Sequence, residues 1–258
     1  MLLACPGNFL SIFSVFLWIF LSYCYLMQFH FIEPQTQGVL FDIDGTLVNT
    51  IPMILAGLRD TYRALGVNPT DSEIFGLIGT PLRVQLNLFG LDQHPTSIIE
   101  RLELAVNNYR NHRNLIEPFA PMMAAYNELL SAKIKVGLVT SRNALEVEHI
   151  IEDFPELAKA NVIVHCDTAA RPKPAPDPAI FACDKLGISC ESSVFIGDSE
   201  HDMKCAKSAG TYAIAVSYGA CSSTQLAANG ADITFDTPQS CADWIQTNIT
   251  STRWITKN

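Results

Sequence analysis

Six short apolar runs, separated by amphipathic stretches, leave this chain few architectures to choose from. They are GVLF (38–41), KVGLV (135–139), NVIVHC (161–166), SVFIG (193–197), YAIAV (212–216) and DITF (232–235). Each carries β-branched or aromatic residues and is bounded by turn formers, the sequence signature of a buried strand. Between them, segments such as MMAAYNELLSAK (122–133) and PAIFACDKLG (178–187) have helical character. Alternation of this kind builds βαβ units, and hence a parallel sheet with helices on both faces, an α/β fold of Rossmann-like type. Sheets of that type bind ligands at the carboxyl ends of their strands.

One interval departs from the rhythm. Between Pro52 and about Pro118 the pattern is helical, as in SIIERLELAVNNYRNHR (97–113), and no run reads as a strand. Residues 52–118 are therefore expected to form an all-helical cap, inserted into a core made of residues 38–51 and 119–250. Residues 1–37 are a separate hydrophobic segment. Its first 32 residues contain no Lys, Arg, Asp or Glu. The stretch 9–32 is long enough to supply the roughly 20 apolar residues that a membrane helix needs. It lacks the basic start and small-residue cleavage site of a secretory signal. Two readings stand: an anchor holding a cytoplasmic catalytic domain at a membrane, or a dispensable extension upstream of Met27.

A net charge of −9 and the absence of any basic cluster argue against a nucleic-acid partner. The eight cysteines are scattered, with no CxxC pair and no zinc spacing. They read as small buried hydrophobes in a reducing compartment.

Chemistry-bearing residues gather where the apolar runs end. In FDIDGT, Asp42 and Asp44 follow the first run, and on an extended backbone residues two apart point the same way. Two carboxylates beside Phe41 and Ile43 are costly unless paired, hydrogen-bonded or metal-bound. Thr140 and Ser141, just before Arg142, end the second run, where hydroxyls and free amides suit an anion or simply cap a helix. In RPKPAPDP (171–178) the prolines restrict the backbone and present Lys173 at a defined place. In GDSEHD, Asp198 ends a strand and Asp202 lies four residues on. Oxygen ligands of this type suit Mg²⁺, although the same residues also make a good helix start.

Taken together and in this order, the motifs resemble those of the haloacid dehalogenase superfamily of phosphohydrolases. The resemblance runs from about residue 38 to 240. FDIDGTLVNT, KPAPDPAIFACDKLGI and GDSEHDMKCAKSAG look most like phosphoglycolate phosphatases, which carry a helical cap after the first motif. The resemblance implies that Asp42 is the nucleophile and Asp44 the general acid and base. It further implies Mg²⁺ held by Asp42, the Asp44 carbonyl and Asp198, with Asp202 in support, and phosphoryl oxygens bound by Thr140, Ser141 and Lys173. Arg83, in the IGTPLR turn, is a candidate cap contact to substrate. The chain departs from the family pattern at PFAP (118–121), where Pro121 stands in place of a glycine.

The resulting expectation is a Mg²⁺-dependent phosphatase acting on a small phosphorylated metabolite, with 2-phosphoglycolate a candidate. A sugar phosphomutase shares the same catalytic groups and would release isomer in place of phosphate. A catalytically silent scaffold would have no need of both aspartates and Lys173.

Overall fold

The computed structural model describes residues 36–78, 80 and 82–250. Eight strands appear there: β1 (Gly38–Phe41), β2 (Val48–Asn49), β3 (Glu117–Pro118), β4 (Lys135–Val139), β5 (Val162–Val164), β6 (Ser193–Gly197), β7 (Tyr212–Val216) and β8 (Ile233–Phe235). Six of them form one sheet in the order β5-β4-β1-β6-β7-β8. Every pairing in it is parallel. The first strand is thus central, with Leu40 opposite Gly137 on one side and Phe195 on the other.

The helices are α1 (Ile51–Ala64), α2 (Asp71–Phe75), α3 (Leu82–Leu88), α4 (Ile98–Asn111), α5 (Ala120–Ser131), α6 (Ala144–Asp153), α7 (Asp177–Leu186), α8 (Glu200–Ala209), α9 (Ser223–Ala228) and α10 (Pro238–Ile245). Strand alternation sorts the sheet's side chains into two layers. Val39, Phe41, Val136 and Leu138 pack with Met122, Tyr126 and Leu129 of α5 and with Ile245 of α10. Leu40, Val139 and Phe195 face the opposite way, onto Ala182 of α7, Met203 of α8 and Leu226 of α9. Both faces are therefore covered, as the near-continuous apolar strands require.

Two expected strands are shorter than their apolar runs. NVIVHC keeps only residues 162–164, because the His165 amide turns to the Thr168 hydroxyl and the Cys166 amide to the Arg142 carbonyl. DITF begins at Ile233. The interval read as free of strands ends in one, since Glu117–Pro118 pairs antiparallel with Val48–Asn49. This two-residue ladder clamps together the chain's exit from the sheet and its return. Between the two strands the described residues form α1 to α4 and short 3₁₀ turns. They enclose their own apolar cluster of Leu58, Tyr62, Leu65, Ile74, Leu86 and Leu91.

Pro121 falls in the first turn of α5, where no amide needs an acceptor and its fixed φ suits the helix. The departure at PFAP is thus absorbed without a break. Among the described residues no helix is long and apolar enough to cross a membrane. The apolar segment 9–32 lies outside the described residues.

Candidate active site

Asp42 continues β1 by one residue, its amide donating to the Ile196 carbonyl at 2.9 Å. The chain then turns sharply, with the Leu47 and Val48 amides both returning to the Ile43 carbonyl. Gly45 makes that turn at φ 74°, a left-handed conformation in which a side chain is strained. A Cβ there would also lie 2.0 Å from Asp198 Oδ2. The glycine of FDIDGT therefore serves two ends, the turn itself and the close approach of β1 to the end of β6.

Lys173, from the proline-rich loop before α7, reaches the same place with only 4% of its surface exposed. Its Nζ donates to Asp42 Oδ1 at 2.8 Å, Asp202 Oδ1 at 2.6 Å and the Val139 carbonyl at 3.0 Å. Asp202 is fully buried; its Oδ2 accepts from the Ser199 amide and hydroxyl at the start of α8. Ser199 in turn caps the Asp202 amide, completing a capping box. The helix start read from this motif is thus made by Ser199 and Asp202, and Asp202 also faces Lys173. Asp198 Oδ2 accepts the Ala220 amide at 2.7 Å, and Gly219 leaves room for it.

Asp42, Asp198 and Asp202 can bring one oxygen each to within 4.8 Å of one another. Burial raises the pKa of Asp42; Lys173 opposes the shift, and Asp202 and Asp44 reinforce it. Asp198 is raised well above the usual carboxylate range, by burial first and then by Asp42 and Asp202. Lys173 loses by burial too, yet Asp202 and Asp42 more than offset this and its pKa rises. Three buried carboxylates thus face one ammonium. Such a set fits a hard divalent cation, which takes carboxylate oxygens and removes the excess negative charge.

Asp44 is turned the other way. Arg142 binds it at two points, Nε to Oδ2 at 2.9 Å and NH2 to Oδ1 at 2.7 Å, and the Thr50 hydroxyl also donates to Oδ1. Arg142 follows Thr140 and Ser141 directly, so its place next to the motif was readable, but its partner 98 positions away was not. Thr140 is buried, and its hydroxyl accepts the Arg142 amide at 3.1 Å. Ser141 lines the cavity above the aspartates.

That cavity is open to solvent. Its floor is Asp42, Asp44, Lys173 and Asp198, and its roof includes Met53, Ile54, Ile78 and Leu82 from the helical stretch. Gln85 and Tyr109 also line it, and neither was singled out by sequence. Arg83 is exposed on α3 and is not among the lining residues; Thr80, Leu82 and Gln85 are the parts of that stretch which face the cavity. Of the eight positions named from sequence, Asp42, Asp44, Ser141, Lys173 and Asp198 line the cavity, Asp202 lies beneath it against Lys173, Thr140 is buried beside Arg142, and Arg83 stands apart.

A family profile described as haloacid dehalogenase-like hydrolase matches residues 39–216. The chain belongs to this family. An N-acetylmuramic acid 6-phosphate phosphatase from Pseudomonas aeruginosa is 28% identical over 213 residues, covering 81% of this chain and 94% of its own. The pyrophosphatase PpaX of Oceanobacillus iheyensis is 28% identical over 183 residues, covering 70% and 84%. A solved hydrolase from Pseudomonas syringae shares the fold with a TM-score of 0.73 at 20% identity, covering 83% of this chain and 99% of its own. A Lactobacillus plantarum structure, provisionally assigned as a phosphoglycolate phosphatase, gives a TM-score of 0.70 at 20% identity, covering 80% and 98%. The expected enzyme, a phosphatase-class member of the haloacid dehalogenase-like hydrolases, agrees with that membership.

Proposed function

We propose that this haloacid dehalogenase-like hydrolase is a Mg²⁺-dependent phosphatase of a small phosphate monoester, 2-phosphoglycolate being one candidate. The observation that carries the reading is the buried group of Asp42, Asp198 and Asp202 around Lys173. No structural role requires so much uncompensated charge at the floor of a cavity. Lys173 holds one oxygen of Asp42 in place. The other attacks phosphorus, and the ester oxygen departs as the aspartyl–phosphate bond forms.

Asp44 gives that oxygen a proton, then takes one from the water that attacks the aspartyl phosphate, releasing phosphate and regenerating Asp42. Thr140, Ser141 and Lys173 receive the phosphoryl oxygens, and Asp202 orients Lys173. Asp42, Asp198 and the Asp44 carbonyl would hold Mg²⁺, which would supply the charge that lets one anion approach another. The helical stretch of residues 52–118 acts as a cap, lining the cavity opposite the aspartates with Met53, Ile54, Ile78 and Leu82.

The test is phosphate release from a panel of small phosphoesters, with and without Mg²⁺, for the native chain and for Asp42→Asn. Turnover is expected to require Mg²⁺ and to drop by at least about 10³-fold in the variant. Persistent turnover in Asp42→Asn would remove the nucleophile assignment. A sugar phosphate converted to its isomer with little free phosphate would favour the phosphomutase reading instead.

A further inference from the structure

Among the described residues, the cations lining the cavity are Lys173 and Arg142. Lys173 is enclosed by Asp42, Asp202 and the Val139 carbonyl. Arg142 stands at the other side of the floor, its side chain 11% exposed, and its guanidinium grips Asp44 at two points. Burial works against the charge on Arg142, but Asp44 and then Glu146 outweigh it and raise its pKa. The cavity therefore holds a permanently charged, planar fork whose partner is the same carboxylate that must serve the leaving group.

Both oxygens of Asp44 are engaged, Oδ2 by Arg142 and Oδ1 by Arg142 and Thr50. While this pair holds, three of the roughly four acceptor sites of the carboxylate are taken, and Asp44 is held toward Arg142 and Thr50. A guanidinium that fits one carboxylate fits another, or a phosphoryl group, in the same two-point geometry. Beside these two cations the lining offers an incoming anion neutral polar groups, among them Thr80, Ser141, Gln85 and Tyr109, and Glu146 is a further acid in it.

We propose that Arg142 is the specificity residue for a second anionic group on the substrate, a carboxylate or phosphoryl group beside the scissile one. That group exchanges with Asp44 on the guanidinium. Asp44 keeps the Thr50 hydroxyl and swings toward the leaving oxygen. Arg142 is then a recognition and positioning residue: it binds the far end of the substrate and, by letting go of Asp44, admits the acid to the reaction. No bond is made or broken in this exchange; one ion pair replaces another. The inference rests on the phosphatase reading and narrows its substrates to esters or anhydrides with two anionic ends.

The experiment compares kcat and KM for phenyl phosphate, 2-phosphoglycolate and inorganic pyrophosphate at fixed free Mg²⁺. It uses the native chain, Arg142→Gln and Arg142→Lys, with thermal melting to verify folding. Native kcat/KM for at least one substrate with a second anion is expected to exceed that for phenyl phosphate at least about tenfold. Arg142→Gln should bring this ratio close to one, with the larger part of the change in KM. Arg142→Lys should restore part of it, having the charge without the fork. A native ratio near one, or the same ratio in Arg142→Gln, overturns the proposal while leaving the phosphatase reading intact.

Inhibition constants for methylenediphosphonate and methylphosphonate on the native chain give a second measure that needs no variant. Equal constants overturn the proposal even where Arg142→Gln does not fold. If no phosphate is released from any of the three substrates or from the wider panel, both readings fall together.

Discussion

Lys173 holds together a group that would otherwise repel itself. Its ammonium lies within hydrogen-bond reach of Asp42 and Asp202, and all three side chains are at least nine-tenths buried. Removing the ammonium leaves two buried carboxylates without their cation, and a broken buried pair costs about 3–5 kcal/mol. Lys173→Met is expected to lower the unfolding free energy by that amount in urea titrations without Mg²⁺. Adding Asp202→Asn to it should recover part of the loss, because the two side chains are directly coupled. Gly219 makes a steric point in the same site. An added Cβ would sit 2.2 Å from Asp198 Oδ2 and 2.6 Å from the Gly45 carbonyl, so Asp198 or the backbone must shift. Gly219→Ala should weaken Mg²⁺ binding about 10–100-fold in calorimetric titration, as displaced supports of a metal ligand do. An unchanged affinity would show that Asp198 is not a ligand.

Elements were legible wherever their own residues decide them. GVLF, KVGLV, SVFIG and YAIAV coincide with β1, β4, β6 and β7, because each is a continuous apolar run buried on both faces. The two-residue strands β2 and β3 were not legible, since each exists only through its partner about 69 residues away and has no period of its own. The same reason hid the grip of Arg142 on Asp44, although both residues stood in recognised motifs. Helix packing between α1 and α4 holds another such case. Gly57 in α1 meets α4 so closely that a Cβ would lie 2.4 Å from the Tyr109 ring and 3.0 Å from the Tyr109 amide nitrogen. In an exposed helix, Gly→Ala is worth about 1 kcal/mol in favour of folding. Here the clash with backbone reverses the sign, and overpacking of this kind costs about 1–3 kcal/mol. Gly57→Ala is expected to destabilise the chain in thermal unfolding and to raise KM, because Tyr109 lines the cavity. A stabilised variant would mean that α1 and α4 can separate freely.

At the scale of the whole molecule, the excess charge of the site ties stability to both metal and pH. Asp42 rises from 3.8 to about 7 through burial, and Asp198 also rises. A carboxylate with a raised pKa in the folded state binds protons more tightly there than in the unfolded chain. Its contribution to stability is complete below about pH 4 and is lost as pH climbs through the raised value. Without Mg²⁺, Asp42 therefore lowers stability between about pH 4 and 7, and Asp198 acts in the same direction as pH rises. On the proposed reading Mg²⁺ would replace the protons, bind the folded state alone and compete with protons for the same oxygens. At a concentration of about 100 times its dissociation constant the cation adds about 2.7 kcal/mol. For a domain of this size that corresponds to a melting shift of about 5–10 °C. Calorimetric scans should show the shift in full at about pH 8 and only a small part of it at about pH 5. Asp198→Asn should abolish it at both, while itself raising the metal-free midpoint at the higher pH, because it removes a buried charge that Lys173 and the Ala220 amide only partly offset. A shift of equal size at the two pH values would mean that the cation binds away from Asp42 and Asp198, at carboxylates whose pKa is not raised.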